Sequence, residues 1–183
     1  MIPEEVEALD ALRDPTISLP AYAKIIDQQS GREEPFSPYT ITDKLQKTVL
    51  AYYSNPPMTD LNQAKWLTLL GYRQGGKSLT AELCGYVKAA YTPGFDHVCI
   101  ADRRERAEYL HRRVHLAHSR WPELVRAGTV PNREVRQLTF DHGGKMRVMS
   151  AETGAVGIGQ SPDSFHGSEL PYWRNAGQQF SMI

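Results

Sequence analysis

The chain has 183 residues, enough for one domain with a real hydrophobic core. Its 21 Lys and Arg balance 21 Asp and Glu, so no global basic field marks a nucleic-acid binder, and only a local basic face stays open. No apolar run approaches membrane-spanning length, and the acidic start Met-Ile-Pro-Glu-Glu lacks a signal-peptide core, so a cytosolic protein with no membrane partner is expected.

Residues 1–36 hold two short helical patterns, near 3–13 and 20–29, separated and followed by Pro-bearing loops. They read as an N-terminal helical arm. Residues 37–183 read as the main unit. Thr40 or Thr42 is placed to cap a helix running to about Tyr53, with Leu45, Val49 and Tyr52 on one face. Asn55-Pro56-Pro57 ends it. Trp66 to Leu70 is apolar and strand-like, and it leads into Gly71-Tyr72-Arg73-Gln74-Gly75-Gly76-Lys77-Ser78. A helical pattern follows to about Tyr91, with Leu79, Leu83, Val87 and Ala90 in phase, and Pro93-Gly94 predicts a turn.

His97 to Ala101 reads as a buried strand. Asp102 and Glu105 give a D-x-x-E helix start, and Ala107, Leu110, Val114 and Ala117 form the apolar face of a helix that stops before Pro122. Leu138 to Phe140 and Met146 to Val148 flank Asp141-His142-Gly143-Gly144-Lys145, a hairpin signal. Residues 151–164 read as a loop. Cys84 and Cys99 have no metal-binding spacing and read as small buried hydrophobes in a reducing compartment. The strand–helix–strand–helix order predicts an α/β fold with a mostly parallel sheet between helices.

Gly71 to Ser78 fits G-x-x-x-x-G-K-[ST], the P-loop. Its glycines let backbone N–H groups from about Gln74 to Ser78 point at phosphate oxygens, and the helix starting near Lys77 adds its positive dipole end. Lys77 is expected to reach the β- and γ-phosphates of ATP, and the Ser78 hydroxyl to ligate Mg²⁺. Arg73 has two readings, a finger supplied in cis to the γ-phosphate or a salt bridge that shapes the loop. Glu169 is the candidate for orienting or deprotonating water. Taken alone, Ser168-Glu169 also fits a helix cap, with Ser168 as N-cap.

The Arg-Gln-x-Gly-Lys-Ser core of this loop resembles the P-loop of the large terminase subunit, the DNA-packaging motor of tailed bacteriophages. The resemblance covers roughly residues 36–175. Gln46 resembles the family's adenine-reading glutamine, its other reading being an exposed helix residue. The strand from Val98 to Ala101 and the Arg-rich helix with Ala107-Glu108 resemble the second strand and helix. Gly157-Ile158-Gly159-Gln160-Ser161-Pro162-Asp163 resembles the loop before the second catalytic strand. His166-Gly167-Ser168-Glu169-Leu170-Pro171-Tyr172-Trp173 resembles a His-x-Ser-Glu-x-x-x-Trp form of the acidic motif.

The resemblance implies ATP and Mg²⁺ bound by Lys77 and Ser78, with Gly71, Arg73, Gln74, Gly75 and Gly76 around the phosphates. It implies Glu169 as the catalytic carboxylate and Arg73 as a catalytic or sensing arginine. It also implies double-stranded DNA, a portal protein, a small terminase subunit and a homo-oligomeric ring as partners, in the cytoplasm of a bacterial host. Ser168 stands where the family often carries a metal-coordinating aspartate, so the magnesium contact there would run through a hydroxyl or through water. Only 14 residues follow Glu169, whereas the family continues with a coupling strand and a nuclease domain, so an N-terminal fragment without the nuclease is expected.

Residues 103–120 carry six arginines with His111, His115 and His118, a possible DNA-facing stripe. The interspersed Glu105 and Glu108 favour a solvated helix face. His111 and His115 have i, i+4 spacing without an accompanying carboxylate motif, which disfavours a zinc site. Two rivals to the packaging motor remain from sequence: another helicase-like P-loop ATPase, and a non-catalytic nucleotide-binding assembly module.

Overall fold

A computed structural model describes residues 3–26, 32–36, 44–54, 77–131, 136–153 and 161–177. The helices are α1 (Pro3–Arg13), α2 (Pro15–Tyr22), α3 (Lys44–Ser54), α4 (Lys77–Tyr91) and α5 (Arg104–Arg120). The strands are β1 (Lys24–Ile26), β2 (Glu33–Pro35), β3 (Asp96–Ala101), β4 (Thr129–Val130), β5 (Gln137–Phe140), β6 (Lys145–Ser150) and β7 (Ser164–Gly167). β1 and β2 pair antiparallel, and the other five form one sheet in the order β4-β5-β6-β3-β7. No helix among the described residues is long and apolar enough to cross a membrane.

The α/β class is as expected, but the sheet is mixed rather than mostly parallel. β3 runs parallel to β6 and β7, whereas β4, β5 and β6 form an antiparallel meander. The reason is local. Gly143, at φ +88°, reverses the chain between β5 and β6, with its N–H donating to the Phe140 carbonyl over 2.9 Å. Gly94, at φ +71°, likewise makes the predicted turn into β3.

Asp14 caps α2, accepting the Thr16 N–H over 2.8 Å, and Pro15 supplies the fixed φ of the first helical turn. The second helix therefore lies at 15–22 rather than 20–29. On α3 the buried face is Gln46, Val49 and Leu50, while Tyr52 is exposed. Of the expected face, Val49 is buried, Tyr52 is not, and the Leu45 side chain lies outside the described ones; a polar residue, Gln46, takes a core position instead. Thr40, Thr42 and the strand-like run 66–70 lie outside the described residues.

α4 is buried on nearly every side, from Thr80 to Tyr91 with Lys88 excepted. It packs against β3, β6 and β7, and also against α1, α2 and α3. Leu19, Ala23 and Phe36 from the N-terminal region share its hydrophobic cluster with Leu83, Val87, Leu110 and Val148. Its C-terminal end is held by Tyr86 edge-on to Trp121 and Phe140, and by Arg13 Nε donating to the Tyr91 carbonyl over 2.8 Å. All four residues of the expected α5 face, Ala107, Leu110, Val114 and Ala117, are buried. On the other face of β3, Val98 and Ile100 form a smaller cluster with Ala151 and Trp173.

α4 crosses β3 at Gly85, where an added Cβ would collide with the His97 ring. Gly85→Ala is therefore expected to destabilise the chain by about 1–3 kcal/mol in urea unfolding, as overpacking does. Gly177→Ala, whose Cβ would meet nothing within 4 Å, is expected to leave stability unchanged.

Candidate functional site

Parallel pairing brings the carboxyl ends of β3 and β7 together. His97, Val98, Cys99 and Ile100 pair with Ser164, Phe165, His166 and Gly167, and the Ser168 N–H extends the ladder to the Ile100 carbonyl over 2.8 Å. Asp102, Ser168 and Glu169 therefore emerge at the same end of the sheet, the end where open α/β sheets bind ligands. α4 begins there too. Its second residue, Ser78, places Oγ 3.4 Å from Ser168 Oγ, joining residues 90 positions apart. Lys77 is the first residue of the helix and is half-buried. Gly71, Arg73, Gln74, Gly75 and Gly76 lie outside the described residues.

Glu169 follows Ser168 in the left-handed region, at φ 58° and ψ 40°, unusual for a residue with a side chain. It precedes a single 3-10 turn, Leu170–Tyr172, and makes no side-chain cap. Ser168 is not the N-cap of that turn either. The turn is fixed by Trp173, whose Nε1 donates to the Ser168 carbonyl over 2.9 Å in a buried setting. A Cβ on Gly167 would lie 3.2 Å from the same indole, so Gly167 leaves room for the ring.

The expected D-x-x-E cap of α5 is replaced by longer-range contacts. Arg103 is the N-cap without a side-chain bond, and the Arg104 N–H instead donates to Glu152 Oε2 over 3.1 Å. Asp102 is buried against Arg106, with Oδ1 3.0 Å from Nη1, and Arg103 Nε lies 3.7 Å from Oδ2. Arg106 Nη1 is also 3.8 Å from Glu169 Oε1. The sequence offers no signal for that last approach beyond the i, i+4 spacing of Asp102 and Arg106. Around this corner lie two open depressions of about 460 and 360 Å³, the first lined by Arg103, Glu105, Arg106 and Tyr109.

Gln46 is a buried polar residue, and its Oε1 has no hydrogen-bond partner among the described residues. An orphaned buried carbonyl is costly, so its exposed-helix reading does not hold. Beneath α4, a polar row went unread in sequence. His97 Nδ1 lies 2.6 Å from Ser164 Oγ, and Cys99 Sγ lies 3.6 Å from His97 Nε2 and 3.8 Å from His166 Nδ1. Burial lowers His97 to about 3 and His166 to about 4, while it raises the Cys99 thiol. Glu82, also buried, is pushed up to about 8 by desolvation, with Arg113 at 2.8 Å pulling the other way.

His111 and His115 bring their Nε2 atoms to 3.0 Å on the half-exposed side of α5. Among the described residues no group of three or more His, Cys, Asp or Glu could hold a metal ion. The chain matches no protein-family model and no curated protein sequence.

Two measurements follow from this geometry. Trp173→Phe removes the donor to the Ser168 carbonyl and is expected to cost about 1–3 kcal/mol in urea unfolding, the penalty of an unpaired buried acceptor. The His97 imidazole, fully buried, and the His166 imidazole, partly exposed, stay neutral in the folded chain near neutral pH but titrate near 6.5 when unfolded. Their stabilisation is complete above pH 6.5 and is lost as pH falls toward 4, at about 1.4 kcal/mol per pH unit for each imidazole. Glu82, with its raised carboxyl, acts in the opposite direction between 4.5 and 8. Comparing wild type with His97→Asn between about pH 6 and pH 4.5, where the unfolded imidazole is mostly protonated and the folded one is not, isolates one imidazole: the variant's acid slope is expected to be smaller by about 1 kcal/mol per pH unit.

Proposed function

We propose that the chain is an ATP-hydrolysing P-loop domain of the large-terminase type, coupling ATP hydrolysis to movement of double-stranded DNA. The observation that carries this reading is the 3.4 Å approach of Ser78 and Ser168. It joins the serine of a G-x-x-x-x-G-K-S run, at a helix N-terminus, to the residue before the candidate catalytic carboxylate. A hydrolytic phosphate site needs those two segments at one end of a parallel sheet.

The residues present fit the groups they would hold. Backbone N–H groups at the start of α4 and the Lys77 ammonium suit a triphosphate. The Ser78 and Ser168 hydroxyls are oxygen donors of the kind Mg²⁺ accepts. When bound, magnesium neutralises charge on the phosphate oxygens. Gln46, whose Oε1 has no hydrogen-bond partner among the described residues, suits the N6 donors of adenine. Glu169 would orient water for in-line attack and take its proton. Arg73 would either reach the γ-phosphate or brace the loop. Portal protein, small terminase subunit and a ring of like subunits belong to the same proposal.

Ser168, a hydroxyl where a carboxylate often stands, favours a second reading: a nucleotide-binding module without turnover. Titration with a fluorescent ATP analogue and a phosphate-release assay separate the two. Lys77→Ala is expected to weaken binding about 10- to 100-fold, the equivalent of one or two charge-assisted hydrogen bonds. Glu169→Gln is expected to retain binding and to lose about 10²- to 10⁴-fold in kcat. Binding without turnover in the wild type selects the second reading, and no Lys77-dependent binding removes both.

A further inference from the structure

We infer that Arg106, anchored by the buried Asp102, is a positioning residue that holds the Glu169 carboxylate for water activation; this rests on the ATPase reading. Three charges stand in a row at the carboxyl end of β3. Asp102 has a side chain only 4 % exposed, and its Oδ1 lies 3.0 Å from Arg106 Nη1, an ion pair without hydrogen-bond alignment. The same Nη1 lies 3.8 Å from Glu169 Oε1. Both outer residues of that second pair are about two-fifths exposed, at 38 % and 39 %.

The two pairs have different physical consequences. A carboxylate buried as deeply as Asp102 must be compensated, so it draws the guanidinium that faces it by charge rather than by a directed hydrogen bond. Asp102 continues directly from β3, whose neighbours on both sides pair with it, so the anchor is as rigid as the sheet. A half-exposed pair such as Arg106 and Glu169 adds little stability. Its effect is on geometry: it limits the rotamers of a glutamate that would otherwise sample solvent freely.

Glu169 is prepared for that restraint from the backbone side. Its left-handed conformation persists because the flanking groups are tied down: the Ser168 N–H by Ile100, the Ser168 carbonyl by Trp173, and the Glu169 carbonyl by the Tyr172 N–H over 2.9 Å. Backbone and side chain are thus held from two directions. A general base requires placement within hydrogen-bond reach of the proton it abstracts, and small displacements are costly.

The test is steady-state and single-turnover ATP hydrolysis by the 183-residue chain, with binding measured separately and thermal melting as the check on folding. Arg106→Ala is expected to lower kcat about 10- to 100-fold while leaving analogue affinity within about twofold. Arg106→Lys, which keeps the charge, is expected to recover part of the loss. Asp102→Asn is expected to act in the same direction by freeing Arg106. In a Glu169→Ala background, Arg106→Ala is expected to add nothing, because the residue acts through the carboxylate.

Unchanged kcat in a folded Arg106→Ala variant overturns the inference. So does a full additional loss in the Glu169→Ala background, or a loss confined to ATP affinity, either of which would put Arg106 on another task. A wild type that binds no ATP overturns the ATPase reading itself. One that binds without turnover overturns the hydrolytic role and this positioning role together.

Discussion

Gly85 rests on the His97 ring, and that contact sets how closely α4 can lie against β3. Any larger residue there would lift the helix off the sheet. Ser78 is seven residues nearer the start of α4, about 10 Å along the axis. Its height over the sheet follows from a contact made two turns away. At the far end Trp121, Phe140 and Arg13 hold the helix in register. A helix buried on both sides cannot slide without opening voids, so its N-terminus is located by packing. The meeting of Ser78 and Ser168 is a consequence of that packing; two neutral hydroxyls 3.4 Å apart attract too weakly to be its cause.

The other half of the site is located by the sheet. β7 pairs in parallel with β3, so whatever follows it appears beside whatever follows β3. The spacing of the Ser-Glu-x-x-x-Trp segment acquires a physical reason. A 3-10 turn of three residues carries the chain from Glu169 to Trp173, which returns the indole to the Ser168 carbonyl. Gly167 has no side chain because the ring lies over it. The same turn leaves Glu169 in the left-handed region, facing a cation supplied by α5.

Periodic segments were legible in the sequence because burial writes a period into them. The face of α5, the hairpin between β5 and β6, and β3 all follow their patterns. Three features were not legible, each for a physical reason. The buried face of α3 includes Gln46, and a search for apolar residues passes over a polar core position. α4 looks amphipathic, yet its outer face is covered by helices from the first fifty-four residues, which no local window includes. The start of α5 is satisfied by Glu152, 48 residues downstream, in preference to its own Asp102 and Glu105. At the site, the helix that begins at Lys77 and Ser78 was legible. The approach of Ser168 to Ser78 and of Arg106 to Glu169 depends on strand order, which local patterning does not specify.

Strand order also bears on how a metal would be held in the proposed ATPase. Ser78 and Ser168 bring two neutral oxygens to the corner. Two carboxylates at this end of the sheet are already paired with cations, Asp102 with Arg106 and Arg103, and Glu169 with Arg106. Among the described residues such a corner offers a divalent cation donors but little uncompensated negative charge. Magnesium sites in phosphate-transfer enzymes draw their charge from one or two carboxylates together with the substrate's phosphates. With Ser168 in place of a carboxylate, the phosphates must supply nearly all of it. Metal and nucleotide would then enter as one unit, and affinity for the metal would be set by the triphosphate cradled at the start of α4.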